Sequence, residues 1–116
     1  MIAALLVAVG GTAGAVGRHL LGERIDERTR DTLLVNVLGS LLLGGLLGAG
    51  VDASAGHLLA TGFCGAFTTF STFAVETVRL AETGEHRAAA INGVVNLVAA
   101  LCAIWLGTTL GTGLAG

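Results

Sequence analysis

Four long apolar stretches constrain this chain of 116 residues more than any other feature. They cover residues 2–21, 32–50, 58–78 and 88–110, and only short segments connect them. A helix of about 20 apolar residues spans the hydrocarbon core of a bilayer. The pattern predicts an all-α integral membrane protein with four transmembrane helices, forming a single domain over residues 1–116.

The composition excludes several other classes of protein. The chain is 53% hydrophobic and 12% charged, with a net charge of −2 and no lysine. Disordered chains have low hydrophobicity and high net charge, which this chain does not. A soluble domain of this size needs more charge on its surface. Proteins that bind nucleic acids need a basic patch. No catalytic constellation is visible, so we do not expect an enzyme. Because no Lys or Arg precedes Arg18, we also do not expect a cleaved signal peptide.

The arginines predict how the chain crosses the membrane. All six lie in or beside the first and third connecting segments: Arg18, Arg24, Arg28, Arg30, Arg79 and Arg87. Loops rich in Arg and Lys face the cytoplasm. Both termini should therefore lie outside, and we expect the protein to be multi-pass in the inner (plasma) membrane of the cell.

Glycine pairs spaced four residues apart occur in two of the four stretches and at the end of a third. They are Gly10 and Gly14, Gly44 and Gly48, and Gly107 and Gly111. Lipid gives helices no hydrophobic reason to associate, so close backbone approach has to supply the contact. The pairs predict tightly packed helices and favour oligomers.

Several polar side chains fall inside the apolar stretches, where each must find a partner in protein or water. Asn36 and Ser40 are one helical turn apart in the second stretch, and Asn92 and Asn96 are one turn apart in the fourth. Such residues either join helices by hydrogen bonds or line a polar pathway. Three asparagines on two helices favour the pathway.

The third stretch contains the most unusual segment, GFCGAFTTFSTFAVET over residues 62–77. Gly62 and Gly65 loosen a helix here, and the hydroxyl groups that follow compete for backbone hydrogen bonds. We therefore predict a break in mid-membrane. The exposed carbonyl groups would need protein, a cavity or an ion to satisfy them.

Two phenylalanines and a glutamate follow the predicted break. Phe70 and Phe73 share a helix face, and their positively polarised ring edges could favour a dehydrated anion. Ordinary packing of the rings is the alternative. Glu76 lies one turn further on, either in an ion pair with Arg79 or as a carboxylate in an aqueous vestibule.

These residues resemble a known family, the CrcB or Fluc fluoride channels. The resemblance rests on Gly10-Gly11-x-x-Gly14-Ala15-x-x-Arg18-His19, on Leu34-Val35-Asn36-x-x-Gly39-Ser40, and on Gly62-Phe63-Cys64-Gly65-x-x-Thr68-Thr69-Phe70-Ser71-Thr72-Phe73. The length, the number of spans and the order of the motifs agree over nearly the whole chain. The clearest departure is Asn92, at a place where other members can carry tyrosine.

The resemblance implies an antiparallel dimer with two pores, through which cytoplasmic fluoride leaves passively. It implies that ring edges of Phe70 and Phe73 meet the ion and that Asn36 donates a hydrogen bond to it. The remaining implied fluoride-pore residues form a polar track: Thr72, Asn92 and Asn96.

The resemblance also implies a structural sodium ion at the dimer centre. Backbone carbonyl groups of Gly65 and Thr68 from both subunits would hold this ion. Glu76 would lie in a vestibule and Arg18 near the pore mouth.

Two questions stay open at this stage. A small multidrug-type proton-coupled exporter also has four spans, but it needs a membrane-embedded carboxylate, and Glu76 lies late in the third stretch. A structural subunit without transport is a third class. An arginine bias of six to none also suggests one fixed orientation, and hence pairing with an oppositely oriented paralogue, although an antiparallel homodimer stays plausible.

Overall fold

The computed structural model describes residues 1–24 and 28–115, without the side chains of residues 28 and 29. The helices are α1 (Ile2–Arg24), α2 (Arg28–Ala49), α3 (residues 53–67), α4 (Phe70–Glu82) and α5 (His86–Ala115). Helices α3 and α4 are the two halves of the third span. All four spans are long and apolar enough to cross a membrane, which confirms the predicted all-α class.

Each helix is longer at one or both ends than the apolar stretch that predicted it, so the connections are shorter. Asp52 begins α3, because its Oδ1 accepts a hydrogen bond of 2.9 Å from the amide of Ala55. The turn before α5 contains Gly84, whose φ of 85° suits glycine. Part of the first predicted connection, residues 25–27, lies outside the described residues.

The third span is irregular along its first half and broken near its middle. Helix α3 consists of one α-helical turn, a π-helical segment over Gly56–Cys64, and a second α-helical turn. Thr68 and Thr69 then adopt extended backbone angles, with ψ of 161° and 119°. The predicted break is confirmed, but it falls at two threonines, whereas Gly62 and Gly65 stay helical.

Helices α2 and α5 lie parallel with their backbones in close contact. A methyl group at Gly44 would collide with the carbonyl oxygen of Ile104, and one at Gly107 would collide with that of Leu41. Gly48 and Gly111 approach the opposite helix in the same way. Only glycine allows such an approach, which confirms the packing predicted from the two glycine pairs.

Helices α1 and α3 form a second parallel pair. Methyl groups at Gly10 and Gly14 would collide with the carbonyl oxygens of Leu58 and Phe63. Gly62 faces back toward the carbonyl oxygen of Val7. All three predicted glycine pairs therefore pack helices within one chain, and whether the chain forms oligomers stays a separate prediction.

Much of the apolar surface of the chain is exposed. Leu47, Phe70, Val94 and Trp105 are examples, and Val35 is the largest fully buried side chain among the described residues. In water such a surface would not be stable. Lipid or another subunit has to cover it, as expected of a protein that crosses the membrane several times.

Candidate functional site

The Asn36 side chain on α2 forms hydrogen bonds with the backbone at the break in the third span. The Asn36 amide nitrogen donates to the carbonyl oxygen of Thr69 at 3.1 Å, and its Oδ1 accepts from the Thr69 amide at 2.8 Å. A side-chain amide thus satisfies both backbone groups of Thr69, as a neighbouring strand would. Unsatisfied, these groups would be costly at this depth in a membrane.

The hydroxyl groups of the two threonines at the break form hydrogen bonds with the ends of α3 and α4. The Thr68 hydroxyl donates to the carbonyl oxygen of Cys64 at 2.9 Å. The Thr69 hydroxyl accepts from the amide of Thr72 at 3.1 Å and so caps α4. The same Thr69 hydroxyl donates to the Thr72 hydroxyl at 3.0 Å. Threonine provides these local bonds because its hydroxyl lies close to the backbone.

The carbonyl groups of Gly65 and Thr68 are among those that lose the donors of a regular helix at the break. In a continuous α-helix, Gly65 would accept from the amide of Thr69, and Thr68 from that of Thr72. The first of these amides donates to Asn36 and the second to the Thr69 hydroxyl. The two carbonyl oxygens can therefore interact with another partner. Carbonyl oxygen is also a type of ligand that suits a sodium ion.

A cation at this place would depend on backbone oxygen. Within the described residues, no three His, Cys, Asp or Glu side chains lie close enough together to hold a metal ion.

A cleft of 330 Å³ opens beside the break. Four helices and the break itself contribute to its wall. Six of the ten predicted site residues line this one cleft: Asn36, Gly65, Thr68, Phe70, Phe73 and Asn96. Ser40 and Cys64 line it as well. Residues 60 positions apart in the chain thus meet where the third span is broken.

The two phenylalanine rings beside the break lie close to each other. Their centroids are 5.9 Å apart, and the ring planes are tilted by 52°. Phe70 is 79% exposed in the single chain. A ring this exposed at the mouth of a cleft is available to a ligand or to a second subunit.

Four predicted site residues do not line this cleft in the described structure: Arg18, Thr72, Glu76 and Asn92. Arg18 is half-buried on α1. Glu76 is buried against α2, where its Oε1 accepts a hydrogen bond of 2.8 Å from the Thr32 hydroxyl. Arg79 is exposed. The contact between Thr32 and Glu76 had no signal in the sequence, because the two residues are 44 positions apart.

A chain of hydrogen bonds joins α4 to α5. The Thr77 hydroxyl donates to the carbonyl oxygen of Phe73 at 2.8 Å, and Asn92 donates to the Thr77 hydroxyl at 2.9 Å. Asn96 then donates to the side-chain oxygen of Asn92 at 3.1 Å. Asn92 therefore joins two helices, one of the two roles that the sequence left open. Its partner Thr77 was not identified, because nothing in the sequence indicates which faces of α4 and α5 meet.

The comparison with known families gives a clear match. The family model described as "CrcB-like protein, Camphor Resistance (CrcB)" matches residues 5–108. "Fluoride-specific ion channel FluC 2" of Natronomonas pharaonis is 54% identical over 114 residues, 98% of each chain.

Further relatives carry the same name. The FluC 2 protein of Haloarcula marismortui is 50% identical over 103 residues, 87% of each chain. The FluC 2 protein of Rhodococcus jostii is 45% identical over 109 residues, covering 91% of this chain and 96% of its own. The four spans, the broken third helix and these matches agree with the resemblance seen in the motifs: the chain is a multi-pass membrane protein that belongs to the CrcB family.

Proposed function

We propose that this protein is a fluoride-selective channel through which cytoplasmic fluoride leaves the cell passively. The observation that carries the proposal is the cleft at the break, where the Asn36 amide and the rings of Phe70 and Phe73 meet. Relatives at 45–54% identity are named fluoride-specific ion channels. The function is transport and not catalysis.

The chemistry of fluoride fits such a cleft. Fluoride is small and strongly hydrated, so a selective pore must replace its water with well-placed donors. The Asn36 amide has two N–H groups and uses one on Thr69, which leaves the other for the ion. The positively polarised edges of the Phe70 and Phe73 rings add attraction without binding the ion too tightly. Thr72, Asn92 and Asn96 complete the proposed polar track.

The driving force needs no energy source within the protein. Hydrogen fluoride crosses bilayers as a neutral molecule and dissociates inside, which traps the anion. A membrane potential that is negative inside then drives fluoride outward, by about 2.3 kcal/mol per charge for each 100 mV. A passive pore in the plasma membrane is sufficient to relieve the accumulation.

Efflux from liposomes tests this function. Purified protein should release fluoride but not chloride, and Phe70→Ile and Phe73→Ile should each reduce the flux. Phe63→Ile is the matched control, since Phe63 stacks on Phe67 at 5.4 Å and does not line the cleft. Liposomes that hold fluoride with correctly folded protein, both alone and together with an oppositely oriented paralogue, would refute the proposal. Unchanged flux in both Phe70→Ile and Phe73→Ile would show that the two rings do not take part in fluoride conduction.

A proton-coupled exporter is the alternative that the relatives' names argue against. Glu76→Gln separates the two functions, because glutamine still accepts from Thr32 but cannot carry a proton. A channel should retain much of its flux, whereas an exporter should lose all transport.

The working assembly that we propose is an antiparallel dimer. The exposed Phe70 and the open cleft beside it would be covered by the second subunit. Relatives of this chain carry the names FluC 1 and FluC 2, as two paralogues would. With the six-to-none arginine bias, this favours an oppositely oriented paralogue over a second copy as the partner. Cysteine accessibility mapping that finds both orientations in equal amounts would refute the heterodimer.

A structural sodium ion at the dimer centre completes the proposal. The carbonyl oxygens of Gly65 and Thr68, whose helical donors are used elsewhere, would hold it together with those of the second subunit. The ion would supply a fixed positive charge that holds the two breaks together. Replacing sodium with a large organic cation should then weaken the dimer, as measured by cross-linking.

A further inference from the structure

Asn96 on α5 carries a buried oxygen that no hydrogen bond reaches. The residue is 7% exposed and lines the cleft at the break. Its side-chain nitrogen donates to the backbone oxygen of Asn92 at 2.9 Å and to the side-chain oxygen of Asn92 at 3.1 Å. Its Oδ1 has no hydrogen-bond partner within the described structure.

The orientation of this amide is fixed by its neighbours. The backbone oxygen of Asn92 can only accept, so the Asn96 nitrogen must face it and the oxygen must face away. Asn92 cannot reverse either, because the Thr77 hydroxyl already donates to Phe73 and must accept from the Asn92 nitrogen. Every bond in the chain therefore donates from Asn96 toward Phe73, and the Asn96 Oδ1 is left at the start of the chain without a donor.

An acceptor in this position conflicts with the passage of an anion. A buried acceptor without a donor is costly, and it repels a fluoride ion that comes near. The occupant beside Asn96 must therefore present a hydrogen-bond donor. Water does so, and it needs two to four polar partners and room for about one probe sphere. The cleft offers 330 Å³ and further polar groups on Asn36, Ser40 and Thr68.

We propose that Asn96 binds an ordered water in the cleft and that this water, not the amide, contacts the passing ion. One hydrogen of the water bonds to the Asn96 Oδ1, and the other is donated to fluoride. The water converts an acceptor into a donor, so fluoride keeps part of its hydration at this point. The role in conduction rests on the proposed function, whereas the water site does not.

Crystallography of the full chain in its assembled form tests the water site. Water, fluoride and sodium have the same number of electrons, so the crystals are grown without fluoride and with rubidium in place of sodium. The expected result is a density peak at hydrogen-bond distance from the Asn96 Oδ1, without anomalous signal. A rubidium signal, a donor side chain of the partner subunit, or an empty position beside the Oδ1 would overturn the proposal.

A pair of variants tests the role in conduction. Asn96→Ala and Asn96→Leu both lose the amide, but only alanine leaves space that water can fill. Fluoride efflux through the alanine variant should exceed that through the leucine variant by about tenfold, the loss expected for one hydrogen bond to the ion. Equal flux would mean that Asn96 acts only on the fold and would overturn the role of the water. If the unaltered protein passes no fluoride, the proposed function fails, and the crystals still decide the water site.

Discussion

The pair formed by α1 and α3 and the pair formed by α2 and α5 are held together by the same chemistry, yet only one of them stays regular. In both pairs, glycines bring the backbones of parallel helices into contact. Helices α2 and α5 are continuous over their full lengths. Helix α3 is π-helical over Gly56–Cys64 and ends where the third span breaks.

The difference shows which groups each pair contributes to the cleft beside the break. A continuous helix uses nearly all of its backbone groups internally, so the regular pair offers the cleft only side chains. The irregular pair leads to a break, and the break frees carbonyl groups at Gly65 and Thr68. Asn36 on α2 then forms a hydrogen bond with Thr69, which stabilises the break. The irregular pair thus contributes backbone groups to the cleft, and the regular pair contributes side chains on continuous helices.

Removing the link between the two pairs should have the largest effect. Asn36→Leu keeps the approximate volume but leaves the Thr69 amide without its partner and removes one of the donors to the Thr69 carbonyl group. Each unsatisfied group costs about 1–3 kcal/mol. Fluoride efflux should fall by about tenfold or more, and thermal stability in detergent should fall with it. Unchanged flux would show that the break does not depend on this link.

Enlarging a glycine in each pair tests whether their packing is equivalent. Gly10→Ala and Gly107→Ala should each destabilise the protein by about 1–3 kcal/mol, because the added methyl group meets a carbonyl oxygen. Of the two, only Gly10→Ala should also reduce fluoride efflux of the folded fraction, since it displaces the backbone of α3.

Neighbouring glycines supply the controls for that comparison. A methyl group at Gly11 would make only ordinary contact, and one at Gly113 would meet open space. Gly11→Ala and Gly113→Ala should leave the melting temperature in detergent nearly unchanged. A loss of flux with Gly107→Ala as large as that with Gly10→Ala would contradict the view that the backbone of the irregular pair matters more for conduction.

The smallest effect is expected where α4 meets the regular pair. Thr77→Val removes the hydroxyl that accepts from Asn92, and a typical hydrogen bond contributes about 0.5–1.5 kcal/mol. Stability should fall by that amount, with a modest loss of flux because Asn92 helps to orient Asn96. Thr83→Val is the control, since the Thr83 hydroxyl bonds only within its own turn of the chain. A larger loss of stability with Thr83→Val than with Thr77→Val would contradict the role assigned to the Thr77 hydroxyl.

Prediction from the sequence succeeded where short-range patterns decide the outcome. The four spans follow from the length of the apolar stretches, and the close packing follows from glycines one turn apart. The break was predicted in the right segment but assigned to Gly62 and Gly65 as well as to the hydroxyl groups. In the structure Gly62 packs against α1, and the threonines end the helix instead.

The sequence alone determined that this chain crosses the membrane as four helices, that its third span cannot stay helical, and that its motifs are those of the CrcB family. Hydrophobic length, helix propensity and local hydroxyl groups act over a few residues, so they can be read directly. Only the tertiary structure decided that Asn36 holds Thr69, that Thr32 meets Glu76, and that a buried oxygen of Asn96 has no partner in the described structure. Those contacts join residues on different helices, and they depend on which faces meet once the glycines have set the packing.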